Sequence, residues 1–401
     1  MVSMLNGKEI VLGITGGIAA YKAAELLRLM VKAGANVQVV MTESAKKFVS
    51  PLTFQTLSGN PVITEMFSLY RQKEIGHISL SQKADILVIA PATANIIGKA
   101  AGGIADDMLS TVFMATKAPV LFAPAMNATM WESPVVQGNI RRLENLGHNF
   151  VGPEHGDLAC GVQGTGRLAD VTEILETIRA VLSAKDFAGK RVLVTAGPTQ
   201  EFLDPARYMT NPSTGKMGLA ITRALKRRGA EVTLVAGPTS ETFPSGIRCI
   251  PVKTAGEMAD AVDTCFSEMD IVIMSAAVAD YRPREVSSEK IKKKEAVLVL
   301  DFEKTSDILQ DLGKKKGSKI LVGFAAETEN LMVNADEKLK RKNLDMIVAN
   351  DIGKSDAGFG AEQNQVTFLF RNRPAEALPK MTKNAVADAL LDRVLTLKSG
   401  E

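Results

Sequence analysis

Three cysteines, three histidines and a single tryptophan among 401 residues leave little material for metal sites or cross-links. Cys160, Cys249 and Cys265 are odd in number and share no paired spacing. That excludes a disulfide framework and a structural zinc site, and it points to the reducing cytoplasm. His77, His148 and His155 are too scattered for a histidine metal centre. No apolar run approaches the roughly 20 residues that a membrane span needs. Residues 1–9 are too polar and too short for a secretory signal. A formal net charge of +3 offers no electrostatic case for nucleic acid. Two phosphate-binding strings are missing as well: neither G-x-G-x-x-G nor the P-loop spacing G-x-x-x-x-G-K-[ST] occurs after a strand.

What is present describes a globular α/β protein. Hydrophobic residues make up 46% and charged residues 23%, enough apolar area for two cores, and the length suggests two domains. Buried-strand patterns at 9–14, 36–41, 85–90 and 118–123 alternate with helical periods such as 18–31 and 172–182. The alternation restarts after the short polar stretch 183–189, read as a hinge, with strands at 190–195, 231–236, 270–275, 320–324 and 344–349 and a helix at 216–228. The expected fold is two doubly wound, Rossmann- or flavodoxin-like parallel-sheet domains in series, 1–184 and 185–401.

Polar turns follow the first-half strands. Gly16, Gly17, Ile18 and Ala19 open the first helix, where free N–H groups suit a phosphate, although a tight strand-to-helix turn has the same composition. Thr42 and Ser44 follow the second strand, and Thr93 and Asn95 the third. Three such loops at neighbouring carboxyl ends form a crevice suited to a mononucleotide cofactor. The segment 124–131 (PAMNATMW) adds an amide, Asn127, beside Met126 and the only tryptophan. An amide there either caps a helix or orients a substrate in an apolar pocket. Cys160 lies in a glycine-rich stretch, 158–167 (LACGVQGTGR), suited to a lid or to a surface turn.

Together GGIAAYK (16–22), HISL (77–80), PATAN (91–95), GIADD (103–107), PAMNATMW and LACGxxGxGR resemble the flavin-dependent cysteine decarboxylase family over about 9–182. The resemblance implies a trimer-forming flavodoxin-like domain that binds FMN. It implies that the substrate thiol is oxidised to a thioaldehyde, so that the electrons left by departing CO2 flow into C=S, and that the ene-thiolate is then protonated and reduced. In that scheme Asn127 holds the carboxylate, His77 assists the oxidative and decarboxylating half, and Cys160 protonates the ene-thiol. Leu168 stands where the family often has methionine, a volume-conserving change.

The second half carries TNPSTGKMG (210–218), SAAVADYRP (275–283), KIKKK (290–294), GFAAET (323–328) and IVAND (347–351). Each lysine alone reads as a surface charge, but their clustering near strand ends suggests neutralisation of a polyphosphate. The set resembles the phosphopantothenate–cysteine ligase domain, which bacteria fuse behind the decarboxylase. This implies that CTP and Mg2+ activate the carboxylate of 4′-phosphopantothenate as an acyl-cytidylate, from which cysteine displaces CMP. By the same resemblance Lys290 stabilises charge during activation and Asn211 handles the acyl-cytidylate. Asp280, Phe324, Lys338 and Lys342 contact the nucleotide, and Ser275, Ala276 and the turn Ser306, Asp307, Ile308, Leu309 line it. The acidic metal ligands are not identified. The whole would be a bifunctional, cytoplasmic enzyme of coenzyme A biosynthesis. Its partners would be small-molecule substrates, with no membrane or nucleic acid, and trimeric decarboxylase and dimeric ligase units would combine into a dodecamer. Intact His77, Asn127 and Cys160 argue against the competing reading, a flavin-binding regulatory protein.

Overall fold

Continuous apolar runs become buried strands and the periods between them become helices, in two compact units, Val2–Ser183 and Ala184–Glu401. The computed structural model describes residues 5–66, 76–159, 161, 163–292, 298–327, 331–351 and 363–397.

The first unit runs β1 (Glu9–Ile14), α1 (Ala20–Lys32), β2 (Asn36–Met41), α2 (Pro51–Ser58), α3 (Gly76–Lys83), β3 (Ile86–Ala92), α4 (Ala94–Gly102) and α5 (Met108–Ala115). It continues with β4 (Val120–Pro124), α6 (Ala128–Glu132), α7 (Pro134–Asn145), β5 (Asn149–Phe150), β6 (Glu154–Asp157), β7 (Gln163–Arg167) and α8 (Val171–Leu182). Five strands form a wholly parallel sheet in the order β2-β1-β3-β4-β5. Side chains alternate across it. Ile10, Leu12 and Val88 join the core under α1 and α8, while Val11, Leu87 and Ile89 join the core under α4, α5 and α7. Burial on both faces is why these strands read as unbroken apolar runs.

The second unit opens with β8 (Arg191–Ala196), the hairpin β9 (Gln200–Asp204) and β10 (Arg207–Thr210), α9 (Lys216–Arg227), β11 (Glu231–Ala236), β12 (Arg248–Pro251) and α10 (Ala255–Phe266). Next come β13 (Ile271–Met274), β14 (Tyr281–Pro283), β15 (Phe302–Lys304), α11 (Ile308–Lys314), β16 (Ile320–Glu327), α12 (Leu331–Arg341) and β17 (Met346–Asp351). It closes with β18 (Gln363–Asn364), β19 (Val366–Phe370), β20 (Glu376–Ala377), β21 (Met381–Thr382) and α13 (Lys383–Val394). The main sheet runs β12-β11-β8-β13-β16-β17-β19-β20, parallel as far as β17 and antiparallel beyond it. Both units are therefore doubly wound α/β folds. The antiparallel edge and the paired ribbons β6–β7, β9–β10 and β14–β15 go beyond the expected parallel strands.

The expected hinge needs correction. Within 183–189, Phe187 is fully buried in the core of the second unit, and its N–H donates to the Arg228 carbonyl at 3.0 Å. The Arg228 guanidinium lies 5.0 Å over the Phe187 ring and forks onto both oxygens of Asp186, at 2.8 and 2.6 Å. An apolar anchor and a bidentate ion pair dock most of this stretch onto the second unit. Among the described residues no helix is long and apolar enough to cross a membrane.

Candidate functional site

The order β2-β1-β3 reverses direction at β1, and the crevice outside β1 and β3 is where such sheets place ligands. Thr15, at the end of β1, staples that crevice. Its buried hydroxyl donates to the Pro91 carbonyl at 2.6 Å and accepts the Thr93 N–H at 3.1 Å. A Cβ on Gly16 would lie 2.3 Å from the Ser44 Cβ, so only glycine lets the turns after β1 and β2 touch. These turns, the loop after β4 and the β6–β7 ribbon enclose a cavity of about 1080 Å³. All nine residues expected at a flavin line it, from Gly16 and Gly17 through Thr42, Ser44, Thr93 and Asn95 to Met126.

Asn127 lines the same cavity and is also a cap: its side-chain oxygen accepts the Thr129 N–H at 2.9 Å at the start of α6. The two readings of this residue are compatible.

The glycine-rich stretch expected as a lid is, over Gln163–Arg167, strand β7 packed onto the Asn127 loop. The Met126 N–H donates to the Gly166 carbonyl at 2.9 Å. A Cβ on Gly164 would sit 2.7 Å from the Ala128 Cβ, and one on Gly166 would sit 2.2 Å from the Met126 oxygen. These glycines serve close packing rather than mobility. Cys160 lies outside the described residues. His77 sits half-buried on α3 and is not among the described residues lining the cavity.

Sequence reasoning missed several charged cavity residues, among them Lys22, Lys99, Asp107 and Arg167. Lys99 lies one helical turn past Asn95 on α4, a spacing that marks a shared face. Its ammonium bonds Asp106 at 2.6 Å and Asp107 at 3.0 Å. Burial opposes its charge, but the two carboxylates outweigh that and hold its pKa above the ordinary lysine value. Asp107 caps α5 in a reciprocal box with Ser110. Burial pushes its carboxyl up, yet the Ser110 N–H and hydroxyl together with Lys99 hold it below the usual carboxylate range. His148, by contrast, is structural: it packs against Phe113 and Phe122, and burial lowers its pKa.

The second unit repeats the arrangement. Its sheet reverses at β8, next to β13, and the Thr195 hydroxyl at the end of β8 accepts the Ala276 N–H at 3.1 Å. The dinucleotide fingerprint that is missing as a string is assembled in space. Gly197 (φ +82°) makes the tight turn after β8. Gly215 follows the β9–β10 hairpin, and a Cβ on it would lie 3.3 Å from the Gly197 Cα. Gly218 comes three residues later, and a Cβ there would meet the Ala196 Cβ at 2.6 Å and the Thr195 oxygen at 2.9 Å. Gly197 and Gly218 thus do two of the jobs of the fingerprint glycines, tight turn and helix–strand packing, while Gly215 lets two backbone segments approach each other.

Several of the residues expected at the nucleotide are tied to the loops after β8 and β13 or to one another. Ser275 Oγ is buried without a hydrogen-bond partner among the described residues, beside Gly218. The Asn211 amide donates to the carbonyls of Ala277 and Val278, at 3.1 and 3.3 Å. The Asp280 carbonyl accepts the Thr305 N–H, tying on the turn of Ser306 and Asp307. Asp307 caps α11, while Ile308 belongs to one core of the unit with Leu309 at its edge, and Phe324 packs at the edge of the other. Lys342 lies one residue beyond α12, its N–H bonded to the Lys338 carbonyl at 3.0 Å. Its ammonium pairs with Asp307 at 2.9 Å, so two expected nucleotide contacts hold each other. Lys290 is exposed, on a loop anchored to the hairpin; Lys293 and Lys294 lie outside the described residues. Among the described residues no cluster of three or more His, Cys, Asp or Glu could hold a metal ion.

The two units match two family profiles. Residues 2–183 match one described as Flavoprotein, and residues 187–397 match the DNA/pantothenate metabolism flavoprotein C-terminal domain. The chain is 47% identical over 398 residues to the coenzyme A biosynthesis bifunctional protein CoaBC of Bacillus subtilis, covering 98% of each chain. The protein of the same name from Escherichia coli is 43% identical over 397 residues, again covering 98% of each. Among solved structures, the C-terminal domain of a CoaBC protein is 41% identical over 53% of this chain and 97% of its own, with a TM-score of 0.47. An FMN-dependent cysteine decarboxylase, SpaF, is 30% identical over 43% of this chain and 95% of its own, with a TM-score of 0.39. With both halves matched and relatives aligned along nearly the whole length, the chain belongs to the family of bifunctional coenzyme A biosynthesis proteins.

Proposed function

We propose that residues 185–401 join cysteine to 4′-phosphopantothenate at the expense of CTP, and that residues 1–184 decarboxylate the product to 4′-phosphopantetheine. The observation that carries the reading is the conjunction, in one cavity, of the Asn127 amide with all nine residues expected at a flavin. The cavity slightly exceeds the ~300–1,000 Å³ usual for small-molecule sites, which suits a cofactor together with part of a substrate. The turn from Gly16 to Ala19 before α1 would take the FMN phosphate, with the Thr42, Ser44 and Thr93 hydroxyls beside it. When bound, FMN supplies an acceptor for the electron pair of the substrate thiol and returns the pair later. The protein's own part is to hold and protonate. Asn127 holds the carboxylate that leaves, and Cys160 delivers the proton to the ene-thiol.

In the second unit, Asn211 has its NH2 turned to Ala277 and Val278, so it acts through its oxygen, as an acceptor near the attacking cysteine amine. Lys290 stabilises the charge that develops on the activated carboxylate and the phosphates. Ser275, Ala276, Asp280 and the turn 306–309 line the nucleotide, with Phe324, Lys338 and Lys342 beside them. Mg2+ would be held chiefly by the CTP phosphates and water, as this ion commonly is beside nucleotides. His77 stands outside the cavity, so its part in the reaction calls for a second copy of the chain, in keeping with trimeric decarboxylase units. Together with dimeric ligase units these would build the dodecamer, working in the cytoplasm. Incubation with 4′-phosphopantothenate, cysteine, CTP and Mg2+ should release CO2, CMP and pyrophosphate. A protein that forms no CTP-dependent product overturns the reading.

A further inference from the structure

The hairpin β9–β10 interrupts the glycine fingerprint between Gly197 and Gly215, and it is held too firmly to be a passive insertion. At its base the Thr210 hydroxyl donates to the Thr199 carbonyl at 2.7 Å, and the buried Glu201 carboxylate accepts the Ala255 N–H at 2.8 Å, at the start of α10. Its turn faces the loop that carries Lys290. Asp204 is fully buried. One of its oxygens accepts the Ala206 N–H at 2.8 Å, and the other accepts the Ile291 N–H at 3.1 Å and the Arg207 guanidinium at 3.1 Å. Arg207 also donates to the Ile291 carbonyl. The peptide planes on both sides of Ile291, the residue after Lys290, are thus gripped at once. Two further bonds secure the loop: the Ser287 N–H donates to the Leu203 carbonyl at 3.1 Å, and the Ser287 hydroxyl to the Glu289 carbonyl at 2.6 Å. Asn211 follows directly on β10, so one short ribbon joins the two residues assigned to ligation.

We infer that the hairpin is the positioning device of the ligation step: Asp204 and Arg207 are positioning residues that fix the backbone from which the exposed Lys290 reaches the nucleotide. The inference rests on the proposed role of Lys290. A flexible lysine on an unanchored loop would sample many positions, and misplacement of about 1 Å in a catalytic group costs on the order of a hundredfold. A charged, buried carboxylate bonded to two N–H groups and a guanidinium holds a peptide far more tightly than a loop's own turns do.

The test uses the full chain. Asp204→Asn should lower kcat for CTP-dependent pyrophosphate release by roughly 10- to 100-fold, with little change in KM for cysteine. Decarboxylation of supplied 4′-phosphopantothenoylcysteine should keep its normal rate. Backbone hydrogen exchange should speed up across 287–292 while β8 and α9 stay as protected as before. In a Lys290→Ala background the same substitution should add less than about twofold, because residues acting as one unit are not additive. Arg207→Gln, at a partly exposed site, gives the same readings if Asp204→Asn folds poorly. Normal ligation by both variants, or a fully additive loss on top of Lys290→Ala, overturns the positioning role. Normal ligation by Lys290→Ala instead removes the role of that lysine, a different failure that the single variant identifies.

Discussion

Asn127 performs two tasks with one side chain, and they can be separated by substitution. Its oxygen caps α6, and the residue also lines the cavity. Asn127→Asp keeps a capping oxygen but meets a carboxylate with a like charge. The protein should stay folded and yellow, with decarboxylation reduced by at least about a hundredfold, near the 2.7–4 kcal/mol of a lost transition-state contact. Asn127→Ala should in addition lose about 1 kcal/mol of stability with the cap, read by denaturant unfolding. A second residue-scale test concerns pH. Asp107 sits below the usual carboxylate range in the fold, against about 3.9 in an unfolded chain. The unfolded chain therefore takes up this proton first as pH falls, and the stability Asp107 contributes is complete above about pH 5 and is lost progressively as pH falls below about 4 through the lowered value of the folded state. Stability curves of wild type and Asp107→Asn should run apart near neutrality and converge in acid. A gap that does not shrink as pH falls below about 4 would contradict the assignment.

At the scale of elements, the strands expected from apolar runs match the structure closely: 36–41 and 231–236 are Asn36–Met41 and Glu231–Ala236. They were legible because covered sheet faces leave each with a continuous buried apolar run, Val39–Met41 and Leu234–Ala236. The ribbons were not. β6 (EHGD) and β7 (QGTGR) carry no apolar alternation, and they are strands because they pack against the Asn127 loop, a contact that lies far away in sequence. The nine flavin-side residues were legible from motif and position. Lys99 and Asp107 were not assigned: the one-turn spacing from Asn95 marked the face of Lys99, but its ion pair with the cap of the next helix leaves no mark of its own in the sequence. The fingerprint glycines were hidden by the hairpin between them. Gly218→Ala tests their packing: the added methyl meets backbone and the Ala196 Cβ at under 3 Å. It should cost about 1–3 kcal/mol, with α9 displaced and ligation impaired while decarboxylation persists. An unchanged melting temperature would argue against the close approach.

At the scale of the whole molecule, the question is what a single chain can and cannot complete. The ligation residues belong to one unit, whereas His77 and the Asn127 cavity do not meet within the described part of a chain. Mixing His77→Asn chains with Asn127→Asp chains, unfolded and refolded together, should therefore restore a fraction of decarboxylation that neither variant shows alone. About a quarter of interfaces would pair an intact His77 with an intact Asn127 if chains assort at random and the proposed trimer forms. No recovery in refolded mixtures that regain flavin would confine the reaction to one chain.

The two threonines that end β1 and β8 carry a last consequence. Each ties the tip of its strand to the loop after the neighbouring strand, Thr15 to Pro91 and Thr93, and Thr195 to Ala276. Both are buried, and each acts as a spacer bar that sets the aperture of its crevice before any molecule arrives. Walls tied in this way should need little rearrangement when a ligand enters. Little of its affinity is then spent on ordering them, and affinity depends on the fit of the ligand rather than on how readily the loops come together.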